Sequence, residues 1–138
     1  MKVREVMSTN VVSLMPEDTT AKAATVLARH HIGMIPVCAK DGKLRGIVTD
    51  RDIVLRCIAC ESIPEETSLR EIMSRGVISV SPDADVREAA ACMASEQVRR
   101  LPVVESNRVI GILSLGDLAR SQSFDMEAAK TLSRISAR

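Results

Sequence analysis

Two short stretches place a hydroxyl three residues before a carboxylate. In Gly46-Ile47-Val48-Thr49-Asp50-Arg51-Asp52-Ile53 the pair is Thr49 and Asp52; in Gly111-Ile112-Leu113-Ser114-Leu115-Gly116-Asp117-Leu118 it is Ser114 and Asp117. Each reads as a buried strand that ends in the hydroxyl and runs at once into the acidic first turn of a helix. There the hydroxyl and the acid can satisfy each other's orphan backbone N–H groups, a capping box, and this accounts for either motif alone. The same pair can also recognise a ligand. A carboxylate accepts hydrogen bonds from both hydroxyls of a ribose cis-diol. The hydroxyl side chain and the free N–H groups of a helix start can hold the sugar or its phosphate, aided by the helix dipole. The roles can coexist, because a cap can change partners when a ligand arrives.

Other reactive residue types form no catalytic set. Cys57-x-x-Cys60 invites zinc or thiol chemistry, but a structural zinc site needs four ligands and no second Cys pair follows. His30 and His31 would contribute only if the fold brought them close. Ordinary helix cysteines and a helix-end His pair are the favoured reading, with Cys38 and Cys92 as small core residues. No Gly-rich phosphate loop, HExxH or nucleophile elbow is present. The expectation is a non-enzymatic protein without a cofactor or metal.

Composition narrows the ligand classes. The chain has one aromatic residue, Phe124, and no Trp or Tyr, so a bound ring must be gripped by aliphatic side chains. Single-stranded nucleic-acid platforms need aromatic stacking and a basic groove. With 19 Lys+Arg against 18 Asp+Glu, a net charge of +1 argues against nucleic acid. No apolar run approaches the ~18 residues of a membrane span, and Met1-Lys2-Val3-Arg4-Glu5 lacks a signal peptide's apolar region. A soluble cytoplasmic protein with free thiols is expected.

The acid-bearing stretches must be positioned by something, and the chain repeats itself around them. Val6-Met7-Ser8 aligns with Ile72-Met73-Ser74 at an offset of 66 residues, and Val11-Val12-Ser13 with Val77-Ile78-Ser79. Pro16 falls on Pro82, Ala23-Ala24 on Ala89-Ala90, Leu27 on Met93, and Ile35-Pro36-Val37 on Leu101-Pro102-Val103. One residue is dropped in the second turn, after which Gly46 to Ile53 falls on Gly111 to Leu118. Such self-similarity marks one supersecondary unit used twice.

Within a copy, an extended piece (11–14) meets Pro16. Asp18 or Thr19 caps a helix over about 19–31, whose Ala23, Ala24 and Leu27 face a core. Residues 35–39 and 44–48 form a hairpin around Asp41-Gly42, and a second helix runs from about 50 to 59. The pattern is β-α-β-β-α, and the fold class expected is α+β, sandwich-like, with two pseudo-symmetric repeats packed through their sheets. One copy alone buries too little surface to be comfortable. The expected organisation is repeat 1 over 1–60, repeat 2 over 61–122 and a tail over 123–138 that forms a short helix.

Two rounds of [Val/Ile]-Met-Ser, a Pro-led helix start, x-Pro-Val and Gly-Ile-[Val/Leu]-[Thr/Ser]-x-x-Asp resemble a tandem pair of CBS (cystathionine-β-synthase) domains, the Bateman module, over about residues 1–120. Thr49 to Val54 together with Val98 to Val103 resembles small stand-alone bacterial CBS-pair proteins. The resemblance implies a regulatory module that binds AMP, ADP, ATP or S-adenosylmethionine in clefts between the repeats and pairs into a homodimer. It implies that Arg99 and Arg100, just before the Leu-Pro-Val strand, reach phosphate, for which the planar guanidinium fork is suited. Their counterparts Gly33 and Met34 carry no charge. Arg51 is a further phosphate candidate, with Gly116 as its uncharged counterpart. By the same resemblance the cleft near Asp117 borrows Thr9, Val11, Ile32 and Gly33, and the cleft near Asp52 borrows Arg75, Val77, Val98 and Arg99. The clefts then differ, with unequal affinities. The alternatives are a ligand-free dimerisation or protein-interaction module, possessing an unidentified protein partner, and a thiol or metal sensor through Cys57 and Cys60.

Overall fold

Helix and hairpin recur twice along the chain, and each recurrence builds its own core. The structure, a computed structural model, describes residues 1–120 and 125–136. The opening of the expected tail, with Phe124, lies outside the described residues. The chain divides into two compact units, Val12–Val77 and Met1–Val11 with Ile78–Arg138.

In the unit Val12–Val77, helix α1 spans Thr20–His30. It begins where Thr19, in extended backbone, accepts the Lys22 N–H at 3.1 Å, the expected cap. It ends where His31 turns left-handed, with φ 52°. Strand β1 (Met34–Cys38) pairs antiparallel with β2 (Leu44–Thr49), so that Met34 faces Thr49 and Cys38 faces Leu44. The expected first strand is reduced to one parallel bridge. Leu14 donates to the Pro36 carbonyl at 3.1 Å and accepts from Cys38 at 2.8 Å, and Pro16, lacking an N–H, cannot extend the ladder.

Helix α2 (Asp50–Ile53) continues as a π-helical turn, Val54–Ile58, in which the Ala59 N–H reaches the Val54 carbonyl at 2.8 Å. A 3₁₀ turn at Pro64–Glu66 leads to helix α3, Leu69–Ile72. Leu69 and Ile72 are buried in one cluster with Leu14, Ala23, Leu27, Ile35, Val37, Val48, Ile53 and Cys57.

The other unit repeats the plan with helix α4 (Val86–Glu96), an antiparallel hairpin of β3 (Arg100–Glu105) and β4 (Arg108–Ser114), and helix α5 (Leu115–Arg120). Its turn places Ser106 and Asn107 at φ 52° and 65°, the left-handed pair that a tight hairpin needs. The core joins Val3, from a 3₁₀ turn at Val3–Glu5, to Val86, Ala89, Met93, Leu101, Val103, Leu113 and Leu118. Helix α6 (Asp125–Ser136) packs on α4 and α5. Its Thr131 and Ile135 are buried, and the Gln97 amide nitrogen donates to the Arg134 carbonyl at 3.2 Å. No helix of the described residues is long and apolar enough to cross a membrane.

Each unit therefore takes its Met-Ser leader from the other copy of the repeat. The Leu69 and Arg70 N–H groups donate to the Asp18 and Pro16 carbonyls at 2.9 and 3.0 Å. Val3 and Arg4 donate to Ala84 and Pro82, both at 2.9 Å. Leu69 and Val3 are both fully buried, and such burial contributes about 1.5–3 kcal/mol per side chain. The leader then runs beside the hairpin. Ser74 and Ile47 exchange hydrogen bonds at 2.8 and 2.9 Å, and Ser8 and Ile112 do so at 2.9 Å. This contact explains the paired Met-Ser and Gly-Ile motifs. A Cβ on Gly46 would lie 2.7 Å from the Ser74 carbonyl oxygen, and one on Gly111 would lie 2.9 Å from that of Ser8 and 2.6 Å from the Met7 sulfur.

Candidate functional site

Strand β2 delivers Thr49 to the start of α2, and the box closes as expected. The Asp52 N–H donates to Thr49 Oγ1 at 3.1 Å, and the Thr49 N–H donates to Asp52 Oδ2 at 3.0 Å. At the end of β4 the Asp117 N–H donates to Ser114 Oγ at 3.0 Å, and the Ser114 N–H donates to Asp117 Oδ2 at 2.8 Å. Asp52 is 7% exposed and Asp117 9%. Carboxylates so far from water need partners on both oxygens.

The second oxygen of each acid turns outward from the box. Asp52 Oδ1 accepts from Ser74 Oγ at 3.1 Å and lies 3.8 Å from Arg56 Nε. Asp117 Oδ1 is paired with Arg120 Nη2. Each acid thus commits Oδ2 to the helix start and offers Oδ1 to side chains outside the box. Ser74, Arg56 and Arg120 were not among the expected site residues. The two arginines could have been found from helical spacing, since Asp52 and Arg56 are four apart and Asp117 and Arg120 three apart on a helix face. Ser74 comes from the leader, and no local spacing points to it. Arg56 Nη1 also donates to the Ile72 and Met73 carbonyls, both at 3.2 Å, which ties the π-helical turn to the end of α3.

In the unit holding Asp117, the backbone brings Val98, Arg99 and Arg100 to the same box. The Arg99 carbonyl accepts from the Leu115 N–H at 2.9 Å, and Arg100 stands opposite Ser114 in the hairpin. Both arginine side chains are exposed and Val98 is half-buried. Thr9 and Val11 belong to this unit too, joined by a 3.0 Å backbone hydrogen bond. Asp117 and Arg120 line a cavity of about 440 Å³ with Met1, Glu5 and Val6.

In the unit holding Asp52, half-buried Ile32 and Gly33 lead into Met34, which faces Thr49. Arg51 does not turn to Asp52; it is exposed and lines a shallow hollow of about 350 Å³ with Asp50, Val54 and Leu55. Val77 donates to the Arg75 carbonyl at 2.9 Å. The Arg75 guanidinium donates to the Arg70 carbonyl at 3.4 Å and lines a different cavity, with Arg45 and Lys40.

The cysteines are free thiols with different surroundings. The Cys57 thiol is buried and reaches the Ser62 carbonyl at 3.6 Å, whereas Cys60 is exposed and reaches the Leu55 carbonyl at 3.5 Å. Burial raises the thiol pKa of Cys38, and burial followed by the nearby Glu96 charge raises that of Cys92. Among the described residues no three His, Cys, Asp or Glu side chains gather as metal ligands would.

The CBS domain family model matches twice, over residues 3–58 and 63–123. Over 134 residues the chain is 39% identical to the CBS domain-containing protein YhcV of Bacillus subtilis, covering 97% of this chain and 94% of that protein. Among solved structures, Hypoxic Response Protein I with two coordinated zinc ions is similar at a TM-score of 0.81 and 32% identity, over 88% of this chain and 98% of that one. The CBS domain pair of protein MJ0100, in complex with 5'-methylthioadenosine and S-adenosyl-L-methionine, is similar at a TM-score of 0.76 and 30% identity, over 87% of this chain and 94% of that one.

Proposed function

Because the chain belongs to the CBS-domain family, as a tandem pair, we propose that it is a non-catalytic regulatory module that binds an adenosine-containing ligand at its Thr49–Asp52 and Ser114–Asp117 boxes. The candidates are AMP, ADP, ATP and S-adenosylmethionine. One observation carries the reading: both buried carboxylates keep one oxygen on the helix start and hold the other on side chains that a ribose diol can replace. The bound ligands of the MJ0100 pair support the adenosine class. Arg99 and Arg100 take the phosphates at the Ser114–Asp117 box. Arg120, freed from Asp117 when the ribose arrives, adds a third cation. The Thr49–Asp52 box has uncharged Gly33 where the other has Arg99, so it favours the ligand with fewer phosphates.

Calorimetric titration of the full chain with AMP, ATP and S-adenosylmethionine tests this. Saturable binding is expected, with affinity lost in a double Asp52→Asn, Asp117→Asn variant. Replacing Arg120 by Gln is expected to weaken ATP more than S-adenosylmethionine. Absence of binding at millimolar ligand, or binding unchanged in the double variant, would overturn the proposal.

A second observation favours self-association. Val54, Leu55 and Ile58 of the π-helical turn are about half exposed, at 55, 48 and 53%, and apolar side chains gathered on one turn favour an interaction surface. The module then acts as a homodimer through the π-helical turn. Light scattering of a Leu55→Glu, Ile58→Glu variant should report a monomer.

A further inference from the structure

The unit Val12–Val77 carries a second concave site, at the opposite end of its hairpin from Thr49 and Asp52. Its cavity is about 730 Å³ in volume, and Lys40, Arg45, Arg70 and Arg75 line it with Glu17 as the one acid. Three segments build it: the chain entering α1, the β1–β2 turn with the start of β2, and the stretch that follows Leu69. The box side of the hairpin is set by the Met34–Thr49 pair and the turn side by Cys38–Leu44. Met34 and Cys38 are four residue steps apart on β1, ~13 Å at ~3.3 Å per step.

Its charge is the informative property. The whole chain has a net charge of +1, yet four cations face this one concavity. Glu17 is spent on Arg70, at 2.8 Å. Among the described residues, Arg75 has only the Arg70 carbonyl, at 3.4 Å, and Lys40 and Arg45 make no ion pair. Like charges gathered around one hollow repel one another and focus a positive potential into it. A solvated surface face would disperse them. A single phosphate would fill little of the volume, and ligand cavities of 300–1,000 Å³ are of the size that suits whole small molecules.

We infer that this cavity is a binding site for a small oligophosphate anion, whose oxygens are shared among Lys40, Arg45, Arg70 and Arg75, and which is independent of the adenosine reading at Asp52 and Asp117. Guanidinium forks take phosphate oxygens in pairs, and the lysine adds a point charge. Glu17 sets a threshold: an incoming anion must compete with it for Arg70.

The test uses inorganic tripolyphosphate, which has no ribose, titrated into the full chain at low salt. Saturable binding is expected, weakening with added salt. A Lys40→Gln, Arg45→Gln variant, whose changed side chains are exposed, should lose at least about tenfold through two missing charge-assisted contacts. The Asp52→Asn, Asp117→Asn variant should bind as the parent does, and Glu17→Gln should bind several-fold tighter because Arg70 is released. Circular dichroism confirms that each variant is folded. The inference is overturned by any of four results: no saturable binding at millimolar tripolyphosphate, equal binding in the Lys40→Gln, Arg45→Gln variant, weaker binding in Glu17→Gln, or equal affinity for polyglutamate or duplex DNA.

Discussion

Asp52 and Asp117 show how much of a site a short motif can carry. The hydroxyl-x-x-acid spacing is enough to place each carboxylate at a helix start, and the hydrogen bonds to Oδ2 follow from that alone. What lies on Oδ1 was not legible in the same way: Ser74 arrives from a segment 22 residues away, and the two arginines sit on a face whose importance depends on which oxygen is free. Gly46 gives a sharper case. Its place before the strand apolars reads as a simple repeat of Gly111, and only the leader's close approach explains it. Gly46→Ala must push a carbonyl oxygen that is itself hydrogen-bonded, so a loss of about 1–3 kcal/mol is expected from urea unfolding, as for overpacked cores. Gly116→Ala is the contrast. Its Cβ would meet the tip of the Arg120 side chain at 3.4 Å, and gaining a helix-favouring residue should leave stability equal or up to about 1 kcal/mol higher. The Cys38 thiol gives a pH prediction. Its folded pKa is raised above the ordinary 9.0 by burial, so its stabilising contribution is complete below that value and is lost as pH rises beyond it. Thermal midpoints should therefore fall on the alkaline side, and less steeply in Cys38→Ala.

At the scale of elements, helix periods and turn residues were the readable part. Thr19 caps α1, the hairpins form where Gly42 and Ser106-Asn107 permit left-handed backbone, and α6 forms in the tail. The π-helical turn after α2 was not readable, because the apolar period of five residues is too short to separate a bond to the fourth carbonyl from one to the fifth. The first strand shrank to a bridge for a reason that lies outside its own residues, the proline that follows. Helix α4 offers a test of capping. The Asp85 carboxylate accepts the Arg87 N–H at 2.8 Å. That hydrogen bond, more than the charges of the N-terminal amine and Arg87, holds its pKa below the ordinary 3.8. The ionised cap stabilises the fold above that value, and the contribution is lost as pH falls further. Acid titration followed by circular dichroism should show Asp85→Asn, which keeps an accepting oxygen, with a flatter acid limb than the parent.

Over the whole molecule, the repeat announces two copies but not which leader completes which core. Val6-Met7-Ser8 and Ile72-Met73-Ser74 have the same pattern, and so do the grooves that receive them, so pattern alone cannot choose between a leader kept and a leader exchanged. The structure exchanges both, and the consequence can be measured. Leu69→Ala, costing about 2–5 kcal/mol as a buried truncation, should speed hydrogen exchange of amides in α1 and β1. Val3→Ala should instead speed exchange in α4 and β3, although Val3 precedes α4 by more than eighty positions. The exchange also gives the molecule a direction in time. On a ribosome, the segment 12–77 has its own leader once residue 77 has emerged, because that leader follows the hairpin it packs on. The turn at Val3, made before the rest of its core, stays without it until Leu118 has left the exit tunnel. The Val3 turn is thus separated from the rest of its core by the whole of the segment 12–77.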